Sequence, residues 1–180
     1  AAAIPGKRPH AARNRLPIMG QLYFMRGTRC LWNAMSSITL RFLAYQPDAL
    51  SRDKIRGGTL LQWMDEAGFA CGCAWARGRC VTAFISSATF AHAVRAGQLV
   101  QVDARLAYTG NSSMALAIEV HANELSNPQS RLVTHCVAVY VAVDENDRPI
   151  PVDTWHPATP GDIALAQRVK NLITAALAAQ

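Results

Sequence analysis

Two carboxylates stand side by side in a segment with almost no other charge, Gly57-Gly58-Thr59-Leu60-Leu61-Gln62-Trp63-Met64-Asp65-Glu66-Ala67-Gly68. From Thr59 to Trp75 nearly every other side chain is hydrophobic or small, which predicts a helix buried on most of its circumference. A carboxylate in such a place is costly unless it is paired or used. Asp65 and Glu66 are therefore the first candidates for chemistry. They point about 100° apart on a helix, and the pattern alone does not choose between them. The paired glycine marks the helix start. A helix N-terminus offers free N–H groups and a positive dipole end, suited to an oxyanion. Gly57 and Gly58 let a reacting group approach that backbone closely, with Gly58 the candidate oxyanion donor.

The elements that must position these residues follow from periodicity. Ser37–Tyr45 predicts a first strand, and Ser51–Arg56 a polar loop leading into the helix. Cys80–Phe90 is rich in Thr, Val, Phe and Ile and predicts a second strand. Val100, Val102, Ala104, Leu106 and Tyr108 alternate with more polar residues, the period of a half-buried strand. Thr109-Gly110-Asn111-Ser112-Ser113 is a turn, and Met114–His121 alternates again, which predicts a hairpin. Leu132–Val143 is a long valine-rich strand. From Pro160 the pattern is helical, with Ile163, Leu165, Ala166, Val169, Leu172 and Ile173 at helical spacing. A helix this apolar must be wrapped by the antiparallel strands that follow, so the fold class is α+β.

Composition bounds the rest. With 180 residues, 51% of them hydrophobic, the chain suits one domain with a substantial core. No apolar run reaches the roughly 18–20 residues that span a bilayer. The net charge of +6 comes from residues 1–34, which hold six basic residues (Lys7, Arg8, Arg13, Arg15, Arg26, Arg29) and no acid. That stretch reads as a basic N-terminal extension: a disordered tail, an Arg-rich targeting segment, or sequence upstream of a natural start at Met35. Nucleic-acid binding by it is the weakest of its readings. The expected division is 1–34 as extension, 35–155 as the main domain and 156–180 as a C-terminal helical segment. Five cysteines (Cys30, Cys71, Cys73, Cys80, Cys136) form no disulfide framework and suit a reducing cytoplasm. Cys71 and Cys73 lack the second pair that a zinc site needs and read as small buried thiols.

Four segments in series resemble the hotdog-fold acyl-CoA thioesterases, in particular their bacterial and cytosolic acyl-CoA hydrolase branch. They are Gly57–Leu61 through Met64–Gly68; Val81-Thr82 through Ser86–Phe90 and Val94–Gly97; Tyr108–Met114; and Tyr140–Asp144. The resemblance covers about Ser37 to Pro151. It implies a five-stranded antiparallel sheet wrapped around a long central helix, here followed by a C-terminal helix. It also implies a homodimer joined edge to edge with active sites at the subunit interface, often assembled into a hexamer, a trimer of dimers.

The resemblance further implies hydrolysis of an acyl-CoA to a free acid and coenzyme A, with no metal and no cofactor beyond the coenzyme A of the substrate itself, and with Asp65 as general base or nucleophile. Gly68 and Gly72, near Asp65 on the helix, either open space for an acyl chain or let a strand pack close. Ser86 and Thr89 resemble strand positions that face the site and orient water or Asp65. Coenzyme A would meet Arg56, Gly57, Phe90, Thr109, Gly110, Ser112 and Ser113, with His92 and Arg95 toward its phosphates. Four departures stand out: Leu50 where relatives commonly carry asparagine, Arg56 where they carry histidine or an aromatic, Ser51-Arg52-Asp53-Lys54 in place of a glycine-containing loop, and Ala93 in place of proline. The first two motivate a rival reading, an acyl-CoA-binding or regulatory hotdog protein with weakened catalysis.

Overall fold

The structure is a computed structural model that describes residues 35–45, 49–51, 53–127 and 129–178. The expectations for residues 1–34, and for Cys30 among them, lie outside the described residues. The elements run β1 (Ser37–Leu43), β2 (Ala49–Ser51), β3 (Lys54–Ile55), α1 (Gly57–Ala76), β4 (Cys80–Ile85), β5 (Leu99–Thr109), β6 (Ser113–Asn123), β7 (Arg131–Ala142) and α2 (Pro160–Ala178).

Five strands form one antiparallel sheet in the order β1-β5-β6-β7-β4. Its inner face is set by alternation: Val100, Val102, Ala104 and Leu106 on β5 and Met114, Leu116, Ile118 and Val120 on β6 are fully buried against α1. Each large side chain removed from water there contributes about 1.5–3 kcal/mol. Helix α1 touches all five strands. Leu60, Trp63, Met64, Ala67, Cys71 and Trp75 face the sheet, and the Trp63 ring stacks on Phe42 of β1 with centroids 4.8 Å apart.

The outer face of the sheet carries α2. Val169, Leu165 and Ile173 pack on Ala107, Ala115, Val137 and Val139, a second and smaller apolar cluster. The start of α2 is a capping box: Thr159 Oγ1 accepts the Asp162 N–H, and the Asp162 carboxylate accepts the Thr159 N–H at 3.0 Å. Arg105 of β5 pairs with the same carboxylate.

Three expectations change. The segment expected as the loop Ser51–Arg56 joins a small β2–β3 hairpin that begins at Ala49 and ends at Ile55, with Asp53 in the turn at φ 62°. The strand expected to reach Phe90 leaves regular pairing at Ile85, after a bulge between Thr82 and Phe84. Beyond it the Ser86 and Ala91 N–H groups still donate to Val137 O and Val133 O. Finally, among the described residues α1 is covered on one side only: Leu61 and Phe69 are 38% and 41% exposed, because a single sheet wraps just the stripe that faces it.

Candidate active site

Helix α1 begins at Arg56, whose backbone is extended and whose side chain makes no cap. Its carbonyl takes the Thr59 and Leu60 N–H groups at 3.1 and 3.3 Å. The Gly57 and Gly58 N–H groups have no partner within the helix, and both residues are exposed. A Cβ on Gly58 would meet nothing within 4 Å, whereas one on Gly57 would touch the Phe90 ring at 3.5 Å. The helix mouth is thus open backbone with Phe90 as an apolar wall.

Two turns further along, Asp65 is half-buried. Its Oδ1 accepts from Thr82 Oγ1 of β4 at 2.9 Å and from the Tyr140 hydroxyl of β7 at 3.1 Å. Among the described residues, Oδ2 takes no side-chain bond. Two donors on one oxygen fix the carboxylate's orientation and leave the other oxygen available. Burial, and then the Asp65 charge, push the Tyr140 phenol well above its usual range, so it remains a neutral donor. Glu66 is exposed and, among the described residues, its side chain bonds only Gln62, one turn back. The two adjacent carboxylates therefore separate cleanly: one is held across three elements and the other lies on the surface.

Gly68 and Gly72 make the Tyr140 contact possible. A Cβ on Gly68 would lie 2.8 Å from the Tyr140 ring and closer still to its hydroxyl, and one on Gly72 would lie 3.3 Å from Tyr140 Cβ. Of the two readings left open for these glycines, close approach of a strand is the one observed. Tyr140 occupies the space in which an acyl chain could have lain.

The hydroxyl that meets Asp65 comes from Thr82, whereas Ser86 is turned to β7. The Val137 N–H donates to Ser86 Oγ at 2.9 Å, which aligns the irregular segment after β4. Ser86 and Thr89 line a cavity of about 160 Å³ with His135, Cys136 and Leu172. Burial, with the Asp65 charge behind it, pushes the Cys136 thiol up to about 11.

His92 and Arg95 lie elsewhere, around a cavity of about 320 Å³ that also gathers Lys54, Gln98, Glu124 and Arg131. Its hub is Gln98, 4% exposed. The Gln98 Oε1 accepts the Arg95 N–H at 2.9 Å, its Nε2 donates to Glu124 at 2.6 Å, and Arg131 donates to Ala93 O at 3.0 Å. Lys54 arrives because β3 bridges to Arg95.

The Thr109–Ser113 turn is at the far end of the β5–β6 hairpin, one eleven-residue strand away, or about 35 Å. Thr109 is buried and its hydroxyl accepts the Trp155 N–H. The Gly110 N–H donates to Ser113 O, and Ser112 O accepts from Ala142. One chain therefore does not bring this turn together with His92 and Arg95.

Sequence reasoning missed Thr82, Tyr140, Lys54, Gln98 and Arg131 as site residues. Two of them had a signal. Thr82 shares the helix-facing side of β4 with Cys80, and glycines four apart on a packed helix call for one large side chain opposite. The cationic cavity had none, since its members meet only through tertiary pairing.

Among the described residues, no group of three or more His, Cys, Asp or Glu is placed to hold a metal ion. No described helix is long and apolar enough to cross a membrane.

The sequence pattern of the thioesterase superfamily matches residues 55–127. An uncharacterized acyl-CoA thioester hydrolase of Buchnera aphidicola is 36% identical over 115 residues, 62% of this chain and 85% of its own length. The acyl-CoA thioester hydrolase YciA of Escherichia coli is 32% identical over 121 residues, 64% of this chain and 92% of its own. Among solved structures, a hexameric thioesterase from Yersinia pestis superposes with a TM-score of 0.61 at 35% identity, over 64% of this chain and 94% of that one.

Proposed function

This chain belongs to the acyl-CoA thioester hydrolases of the thioesterase superfamily, and from that premise we propose how it works as an acyl-CoA thioesterase, cleaving an acyl-CoA to a free acid and coenzyme A. The observation that carries the mechanism is Asp65, oriented through Oδ1 and, among the described residues, free of side-chain bonds at Oδ2. Its Oδ2 takes a proton from a water molecule as that water's oxygen bonds to the thioester carbon. The carbonyl oxygen becomes an oxyanion and is stabilised by the Gly58 N–H at a helix N-terminus. As the tetrahedral centre collapses, the carbon–sulfur bond breaks and the electron pair leaves with sulfur. The coenzyme A thiolate then takes up a proton.

A second copy of the chain completes the pocket. Among the described residues strand β4 is an edge strand, paired on one side only by β7. Beside it Val81, Ile85, Leu61, Phe69 and Phe90 are all exposed around Asp65 and the helix mouth. Joining two β4 edges pairs the free backbone groups and covers this apolar surface. The relative from Yersinia pestis is described as hexameric, and a trimer of such dimers is the assembly expected here. The phosphates of coenzyme A fit the Lys54, His92, Arg95 and Arg131 cavity. Ser112 and Ser113, a strand length away, reach that ligand only from a neighbouring copy.

The test is thiol release from a panel of acyl-CoAs of short to long chain. Turnover by the wild type, lost in Asp65→Asn with KM little changed, supports the assignment. No release from any member overturns it. Coenzyme A binding by calorimetry without turnover would favour the weakened binder that Leu50 and Arg56 motivate.

A further inference from the structure

Helix α1 ends where Arg77 turns left-handed, φ 52° and ψ 33°, and both the Arg77 and Gly78 N–H groups close on Cys73 O. Only Arg77-Gly78-Arg79 then separates the helix from β4, so the first residue of β4 lands beside the helix it has just left. As a result the Cys73 and Cys80 sulfurs lie 3.1 Å apart, closer than two unbonded sulfurs usually approach, with both thiols free. Gly72 leaves room for this: a Cβ there would sit 3.3 Å from Cys80 Sγ. Cys80 is 4% exposed, whereas Cys73 is half-buried and gives the pair a side open to a small reagent.

We propose that Cys73 and Cys80 form a dithiol site for hydroperoxides, oxidised to an intrachain disulfide that ties α1 to β4. The chemistry balances in two steps. The Cys73 thiolate attacks one oxygen of the hydroperoxide, the O–O bond breaks, and the other oxygen leaves as water or an alcohol after taking up a proton. The Cys80 sulfur then attacks the sulfenic sulfur of Cys73, the S–O bond breaks, and water leaves with the Cys80 proton. Two thiols lose two electrons and two protons, and the peroxide gains them.

The surroundings divide the four described cysteines by reactivity. The Cys80 S–H stabilises the Cys73 thiolate, so the Cys73 thiol is held below its usual range and the Cys80 thiol is pushed well above it. Cys71 and Cys136 are buried elsewhere, and burial raises both thiols to about 11, which leaves little thiolate to react. A disulfide needs sulfurs about 2.05 Å apart, so closure draws the two elements together by only about 1 Å. Those same elements carry Asp65 and Thr82, eight residues before Cys73 and two after Cys80. The site thus adjoins the catalytic carboxylate without supplying a group to it.

The experiment uses the whole protein and hydrogen peroxide, read by mass and by tryptic mapping. Trypsin cuts after Arg77 and Arg79, so Cys73 and Cys80 fall on separate peptides, 57–77 and 80–95. The result expected is loss of the mass of two hydrogens and a linked pair of these peptides, reversed by dithiothreitol. The link persists in Cys71→Ser and is absent in Cys73→Ser. Overturning results are sulfinic or sulfonic acid on Cys73 with Cys80 still free, a link that survives Cys73→Ser, or first modification at Cys71 or Cys136. Because the readout is covalent, it stands or falls independently of thioesterase turnover.

Discussion

The surroundings of Asp65 and the cavity around Arg95 are both polar places in an apolar protein, built by opposite means. At Asp65 the partners are neutral hydroxyls from β4 and β7, and the fit depends on missing atoms, the absent Cβ groups of Gly68 and Gly72. Around Arg95 the partners are charged side chains at strand ends, organised by one buried amide, Gln98. The first place holds a single atom in a fixed position. The second fixes its central amide, Gln98, and gathers Lys54, His92, Arg95 and Arg131 around it. Substitutions at the first should therefore act on turnover and folding, and at the second on affinity and its dependence on salt.

The sharpest way to break this contrast is Asp65→Asn. We expect kcat to fall by about 100-fold or more with KM nearly unchanged, measured by thiol release. A large rise in KM instead would erase the division between the two places. Next comes Gly68→Ala, whose new methyl collides with the Tyr140 ring. Overpacking of this kind costs about 1–3 kcal/mol, visible as a lower urea midpoint, and kcat should fall with it as Tyr140 is displaced from Asp65.

At the other end, Arg95→Ala and Arg131→Ala should each raise KM for acyl-CoA about tenfold and leave kcat within about twofold. Raising ionic strength should weaken the wild type toward the variants, because exposed charges are screened. A fall in kcat with KM unchanged would move the cavity into the chemistry.

The smallest effect is expected from Tyr140→Phe, which keeps the packing and removes one donor: about 1 kcal/mol, or several-fold in kcat. It has a separate signature in pH. The folded Tyr140 phenol titrates above its unfolded value near 10, so the stability it contributes is present below pH 10 and lost as pH rises beyond that. Denaturation at alkaline pH should show that loss in the wild type and a smaller loss in Tyr140→Phe.

Much of this was legible in the residues themselves. Alternation along Val100–Tyr108 and Met114–His121 announced a hairpin, and the apolar run after Gly57-Gly58 announced the central helix, because periodicity is local and burial enforces it. Asp65 stood out for the same reason, as charge where the pattern wants none. The hairpin from Ala49 to Ile55 was hidden because its pairing is only a few residues long and lacks alternation. The end of β4 was hidden because Ser86–Phe90 keeps strand-like composition after its ladder has broken.

By itself, then, the sequence determined the main elements, a central helix too apolar to lie free in water, and the pair of carboxylates worth attention. Tertiary structure decided which of that pair is held, by bringing Thr82 and Tyr140 to Asp65 and leaving Glu66 to solvent. It also decided that Gly68 and Gly72 admit a tyrosine, that Lys54 and Arg131 join Arg95, and that Cys73 faces Cys80. The reason is physical: periodicity records which side of an element avoids water, whereas partners brought together from distant strands depend on register and packing that no local pattern encodes.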